Sequence, residues 1–136
     1  TLAERKTRFY IAMKMSDRRA ETMENAIVAA LSAFPPQLVK TITCDRGTEF
    51  ANWRRIEERL HCEVYFADPY CAWQKGTNEN LNGLLREFYP KGRNLSRVAP
   101  ATLKRNLALL NARPRKVLYF HSAQELWDFE LNSCCT

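Results

Sequence analysis

The chain has 136 residues, room for one domain of ordinary size, and 46% of them are hydrophobic, enough to build a real core. Its formal net charge of +6 fits either a plainly soluble basic protein or one with an anionic partner, nucleic acid being the commonest. No apolar run nears the roughly 18 residues that span a bilayer, and "TLAERKTRF" has no apolar signal core, so the expectation is a cytoplasmic protein without a membrane partner.

Five cysteines, Cys44, Cys62, Cys71, Cys134 and Cys135, form an odd set with no C-x-x-C spacing. That argues against a zinc site and against a secreted disulfide framework. Cys44 and Cys62 border apolar strands and read as small buried hydrophobes. The terminal Cys-Cys reads as a frayed tail.

"TLA" reads as the end of a strand and "ERKTR" as a hairpin turn. "RFYIAMKM", 8–15, alternates Phe9, Ile11 and Met13 with Tyr10, Ala12 and Lys14, which predicts a strand. From Ala20 to Phe34, Met23, Ala26, Ile27, Ala30, Leu31 and Phe34 fall at helical spacing, and Pro35-Pro36 stops the helix. "LVKTITC" is β-branched with apolar residues on both faces, as in a central strand covered on both sides. A short helix follows with Trp53, Ile56 and Leu60, then the strand "CEVYFA", 62–67.

The next helix runs from about Gln74 to Phe88 on Leu81, Leu84, Leu85 and Phe88, closed by Pro90 and Gly92. "PATLKRNLALLNAR" is helical, and "SAQELWDFEL" opens with the Ser122/Glu125 capping box. No linker divides the chain. Antiparallel strands come first and parallel ones after, an α/β order.

"TITCDRGTEF" ends a strand on Asp45, and in α/β sheets ligands gather beyond the carboxyl ends of strands. Gly47 would let the chain turn away. A cap or Asx-turn is the plainer role for Asp45. On a wheel of about 100° per residue, Leu81, Leu84, Leu85 and Phe88 share one side, with Glu79 opposite and Lys75 and Arg86 close to it. Asn78, Asn80 and Asn82 crowd that glutamate although asparagine is a poor helix former, which suggests a polar surface kept for contact.

Here the residues take on a family likeness. "CDRGTEF" resembles the Asp-x-Gly-x-Glu-Phe segment of the retroviral-integrase core superfamily, and "KGTNENLNGLLREFYPKG" resembles the glutamate helix of its bacterial insertion-sequence transposases. With "ERKTRFY", "FADPYCAWQ" and "NARPRKVL", the likeness narrows to the insertion-sequence-thirty type and runs from Glu4 to about Leu131. It implies a ribonuclease-H-like α/β fold, a mixed central sheet flanked by helices, as one partial catalytic core over residues 1–136.

The likeness also implies an Asp-Asp-Glu triad holding two Mg2+ ions, with Mn2+ as a substitute. Asp45 matches the second Asp and Glu79 the Glu, 34 positions apart. Hard cations prefer carboxylate oxygens, and two of them roughly 3.5–4 Å apart serve in-line phosphoryl transfer. Water attacking nicks a transposon end, and the freed 3′-hydroxyl joins it to target DNA. The family's first Asp lies on a strand before "TLAERKTRF", and neither Glu4, in the turn, nor Asp17, near the next helix, matches it. The expectation is therefore a fragment whose first strand is missing or incomplete, without the N-terminal helix-turn-helix region, and inactive alone.

The implied partner is double-stranded DNA, both transposon ends and target, bound by a homo-oligomer in the full-length synaptic complex. Lys75, Asn78, Asn82 and Arg86 are candidate DNA contacts, as are Arg113, Arg115 and Lys116 of the basic "RPRK" run. Each also has a plain reading as a solvated charge or, for Asn78, a helix cap. Glu49 reads as a local ion pair or turn contact, with metal binding as the alternative. Tyr70 and Trp73 read as core or as base-stacking groups, Trp53 and Trp127 as core, His61 as a helix-end residue and His121 as surface. A non-catalytic DNA-binding or assembly remnant is the alternative function. A hydrolytic nuclease of the same fold is a third.

Overall fold

The computed structural model describes residues 1–71 and 76–134. Its elements are β1 (Leu2–Ala3), β2 (Tyr10–Ile11), α1 (Ala20–Leu31), β3 (Thr41–Cys44), α2 (Trp53–Leu60), β4 (Glu63–Phe66), α3 (Gly76–Leu85), α4 (Pro100–Ala112) and α5 (Ala123–Cys134). This mixed α/β order is the one expected. The chain falls into two compact units, one of residues 1–12 with 76–133 and one whose described part is 13–71 with Cys134. Among the described residues no helix is long and apolar enough to cross a membrane.

In the first unit, β1 and β2 pair antiparallel, Leu2 opposite Ile11 and Ala3 opposite Tyr10. Glu4 makes the turn. Its carboxylate accepts hydrogen bonds from the backbone N–H of Lys6 (3.0 Å) and Thr7 (2.6 Å) and from the Thr7 hydroxyl (2.6 Å). Burial pushes the Glu4 pKa up, but these bonds outweigh it and hold the group below its ordinary value. The strand expected over 8–15 shrinks to Tyr10–Ile11. Arg8 has a left-handed φ of 63°, which breaks extension on one side, and β1 offers only two residues to pair with.

Tyr10 is buried with Leu81 of α3 and Leu110 of α4, and Leu84, Leu85, Phe88 and Leu107 pack around them. Asn111 completes the join. Its Oδ1 accepts the Tyr10 N–H (3.0 Å) and its Nδ2 donates to the Tyr10 carbonyl (2.9 Å). Helix α3 ends at Leu85, and a turn carries the chain to Phe88, so the expected helix is one turn shorter. Its expected start at Gln74 lies outside the described residues. Gly92 takes φ 84°, a backbone conformation that favours glycine.

The capping box at α5 forms as read. Glu125 Oε2 accepts the Ser122 N–H (2.8 Å), and Ser122 Oγ accepts the Glu125 N–H (3.1 Å). Helix α5 continues through Cys134, which corrects the frayed-tail reading there, while Cys135 lies outside the described residues. Trp127 is buried and stacks on Phe9 at 5.2 Å between ring centroids.

In the second unit, β3 and β4 pair in parallel, Thr41 opposite Glu63 through Cys44 opposite Phe66. Helix α2 makes the crossover, buries Ile56 and Leu60, and ends on His61 at φ 53°. The core is Ile27 and Val28 of α1, Ile42 and Cys44 of β3, Ile56, Leu60, Cys62 and Val64. Each of the Ile, Leu and Val side chains contributes about 1.5–3 kcal/mol by leaving water. Trp53 packs against this core edge-on to Phe66. The expectation that β3 is covered on both faces fails, because Ile42 and Cys44 are buried while Thr41 and Thr43 are exposed. Among the described residues the strands pair as two two-stranded sheets.

Glu24 is the buried residue that hydrophobic patterning overlooked, only 3% exposed. It stands one turn before Ile27 and Val28 on the face α1 turns to the core. Asn52 Nδ2 donates to it (3.0 Å), Arg59 Nη1 donates (3.0 Å), and Arg55 Nε lies at 3.7 Å. Burial raises its pKa, but the hydrogen bonds from Arg59 and Asn52 and the charges of Arg55 and Arg59 prevail, so it ends below the usual carboxylate value.

Stability from Glu24 is thus present above its unfolded pKa and lost as pH falls through the lower folded one. Glu24→Gln should cost about 1–3 kcal/mol at pH 7 in chemical denaturation. The gap to wild type should narrow as the pH is lowered through the acid range. A gap that is constant with pH would remove the charge from the explanation.

Candidate functional site

Asp45 follows β3 directly. The ladder closes when the Ala67 N–H donates to the Cys44 carbonyl at 2.8 Å, so Asp45 is the first residue past the paired edge. It is exposed, and its Oδ1 accepts the Gly47 N–H at 3.1 Å. That is the Asx-turn, and it coexists with an outward carboxylate. Gly47 serves space more than rotation. Its φ is an ordinary −71°, but a Cβ there would overlap the carboxylate of Glu49, which folds back over it. Glu49 is therefore a local turn contact, as read.

Asp68 lies just past β4, at the same end of the parallel pair, and is exposed. Sequence reading did not single it out. The signal available was its position two residues after a strand parallel to the one Asp45 ends. Tyr70 is fully exposed at φ 61°, so it is not core. Trp73 and Lys75 lie outside the described residues.

On α3 of the first unit and the turn that follows it, Leu81 is buried, Leu84 and Leu85 are partly so, and Glu79 and Arg86 are exposed, as the wheel predicts. Asn78 is the third residue of the helix. Its Oδ1 is buried with no hydrogen-bond partner among the described residues. Asn82 has internal work. Its Oδ1 accepts the Tyr10 hydroxyl and the Thr1 hydroxyl (2.9 Å), tying α3 to the hairpin.

The basic run leaves α4 in three directions. Arg113 pairs with Glu87 at 3.0 Å and lies over the Phe88 ring. Arg115 turns inward, its Nη2 donating to the Leu110 carbonyl at 3.1 Å. Lys116 is exposed. Burial first, then the charges of Arg113 and Arg8, push the Arg115 guanidinium pKa down.

The carboxylates of Asp45 and Glu79 are hard oxygen donors, a type that suits Mg2+ and not the thiolate-preferring metals. Among the described residues no three of His, Cys, Asp and Glu gather into a metal-holding group.

A family model described as an integrase core domain matches residues 1–72, a stretch that includes Asp45. The chain belongs to the integrase core domain family. It is 38% identical over 128 residues to the probable transposase for insertion-like sequence element IS1161 of Streptococcus salivarius, covering 94% of this chain and 36% of that protein. It is 36% identical over 126 residues to the transposase InsI for insertion sequence element IS30C of Escherichia coli, covering 93% and 33%. To the transposase for insertion sequence element IS1086 of Cupriavidus metallidurans it is 39% identical over 121 residues, covering 89% and 36%. The chain spans about a third of the length of these curated relatives. The insertion-sequence-thirty likeness read from the motifs is therefore matched across most of the chain.

The loop after the basic run carries backbone strain. Tyr119 and Phe120 take φ 53° and 66° in succession. Tyr119 ends the 3-10 turn over Lys116–Leu118, where glycine is the favoured residue, and 89% of it is exposed. Tyr119→Gly should raise stability by about 0.5–1 kcal/mol, since little burial is lost. An unchanged or lower thermal midpoint would show that the aromatic side chain contributes as much as the strain costs.

Proposed function

We propose that this chain is part of the catalytic core of a DNA transposase of the insertion-sequence-thirty type, with a ribonuclease-H-like fold, acting in the bacterial cytoplasm. The reaction is phosphoryl transfer at transposon ends, first nicking and then joining to target DNA. The observation that carries this reading is Asp45. It is an exposed carboxylate at the carboxyl end of a parallel strand, inside the stretch that matches the integrase core. Such ends are where α/β sheets bind ligands.

In this reading Asp45 and Glu79 hold Mg2+, with Mn2+ able to replace it. The bound cation would supply charge stabilisation at the reacting phosphate. The exposed charges of Arg86 and Lys116, with Lys75, hold the DNA backbone. Arg113 and Asn78 are further contacts in this reading, and Asn82 acts by fixing α3 against the hairpin. Transposon-end synapsis would bring copies of the full-length protein together on double-stranded DNA.

The test is a Mn2+ titration of the chain beside Asp45→Asn and Glu79→Gln. Both variants should lose at least about tenfold in metal affinity, by analogy with losses seen on disturbing metal-site partners. Duplex binding at fixed salt should change little, since neither residue contacts phosphate. Unchanged metal binding in both variants, with folding verified by circular dichroism, would sink the metal assignment and favour the non-catalytic DNA-binding remnant.

A further inference from the structure

The first unit contains a cleft of about 400 Å3 whose walls include Arg8, Thr77, Leu81, Leu84, Arg115 and Val117. Two cations therefore share one cavity. Among the described residues neither has a carboxylate partner, whereas the neighbouring Lys6 and Arg113 are paired with Glu130 and Glu87. Arg8 donates from Nη1 to the Thr77 hydroxyl, and Arg115 donates from Nη2 to a backbone carbonyl. The Nε of Arg115 is buried with no hydrogen-bond partner among the described residues.

This arrangement is unfavourable when the cleft is empty. Like charges repel, and more strongly where water is reduced. A buried donor without an acceptor loses its hydration without return. Arg8 adds strain, for it reaches the cleft from a left-handed backbone conformation that the Glu4 turn enforces. Strain held in place by surrounding structure is a mark of a functional position. An anion with several acceptor oxygens would relieve the repulsion and satisfy the orphan donor together. Guanidinium groups suit phosphate oxygens by geometry as well as charge.

We propose that this cleft binds one phosphate group of a nucleic-acid backbone, with Arg8 and Arg115 as the paired cations and Thr77 as a hydroxyl contact. The inference rests on the DNA reading above and gives it a specific anchor. The volume exceeds that of a phosphate, and Leu81 and Leu84 leave an apolar wall for the adjoining sugar. Arg8 is the new element. It lies in the hairpin, far in sequence from the basic run, within the "ERKTRFY" motif but given no role there.

Three variants test this: Arg8→Gln, Arg115→Gln and Val117→Glu. Arg115 also supports a backbone carbonyl, so its loss alone could disturb folding. Val117 is 63% exposed, so a carboxylate there should neutralise the cleft without unfolding the chain. Two readouts are needed. One is duplex DNA affinity as a function of salt. The other is 31P line broadening of inorganic phosphate.

Each variant should lower the slope of log K against log salt by about one unit, as expected for one lost phosphate contact. Each should also remove the line broadening. Wild-type slope and broadening in folded Arg8→Gln and Val117→Glu would overturn the cleft while leaving the DNA reading intact. Phosphate broadening lost in the variants, with no duplex binding by wild type, would overturn the nucleic-acid ligand and with it the DNA reading, leaving a small-anion site. Absence of both signals in wild type overturns both.

Discussion

A buried backbone group must find a partner, and at Tyr10 that requirement organises the first unit. The strand there is two residues long, too short for a sheet to satisfy both faces of the backbone. Asn111 substitutes for a neighbouring strand, accepting from the Tyr10 N–H and donating to its carbonyl. The ring fills the space between α3 and α4, and the hydroxyl donates to Asn82 on α3. One side chain thus fixes the hairpin against two helices. Remove it, and both the outward face bearing Glu79 and the inward reach of Arg8 lose their reference.

The second unit rests on a different constraint. Parallel strands cannot be joined by a tight turn, so α2 must cross between β3 and β4 and bury its own apolar stripe on the way. That crossover sends both strands in one direction, and their carboxyl ends emerge together. Asp45 and Asp68 leave from that edge. Glu24 pins α1 to α2 from the other side, through Arg59, Asn52 and Arg55. Removing either partner would leave an uncompensated charge at that contact, so the α1–α2 contact depends on the set being complete.

Two sets of cations stand apart among the described residues. Arg59, Arg113 and Lys6 are matched by acids within their own units and serve structure. Arg8 and Arg115 are not matched among the described residues and gather around a cleft. A net charge of +6 suggested an anionic partner, but a sum over the chain could not say which cations were spent internally. Asn82 shows the same distinction among polar groups: it looks like a contact residue by position and proves to be a brace.

What the sequence determined by itself was everything governed by neighbours within one turn or one hairpin. The order of elements, the Glu4 turn, the Ser122/Glu125 capping box, the leucine face of α3 and the abrupt end of β3 at Asp45 all depend on short-range periodicity and hydrogen bonds. The family likeness was legible for the same reason, since its motifs are contiguous. Tertiary structure alone decided the rest. The strand after Arg8 is short because Arg8 leaves the extended conformation and β1 offers only two residues to pair with, and α3 stops at Leu85 despite a pattern that runs on. Glu24 is buried because Arg55 and Arg59 of another helix compensate its charge. Arg8 and Arg115 meet across more than a hundred residues. Packing sets such meetings, and packing is a property of the whole folded chain that no local pattern encodes.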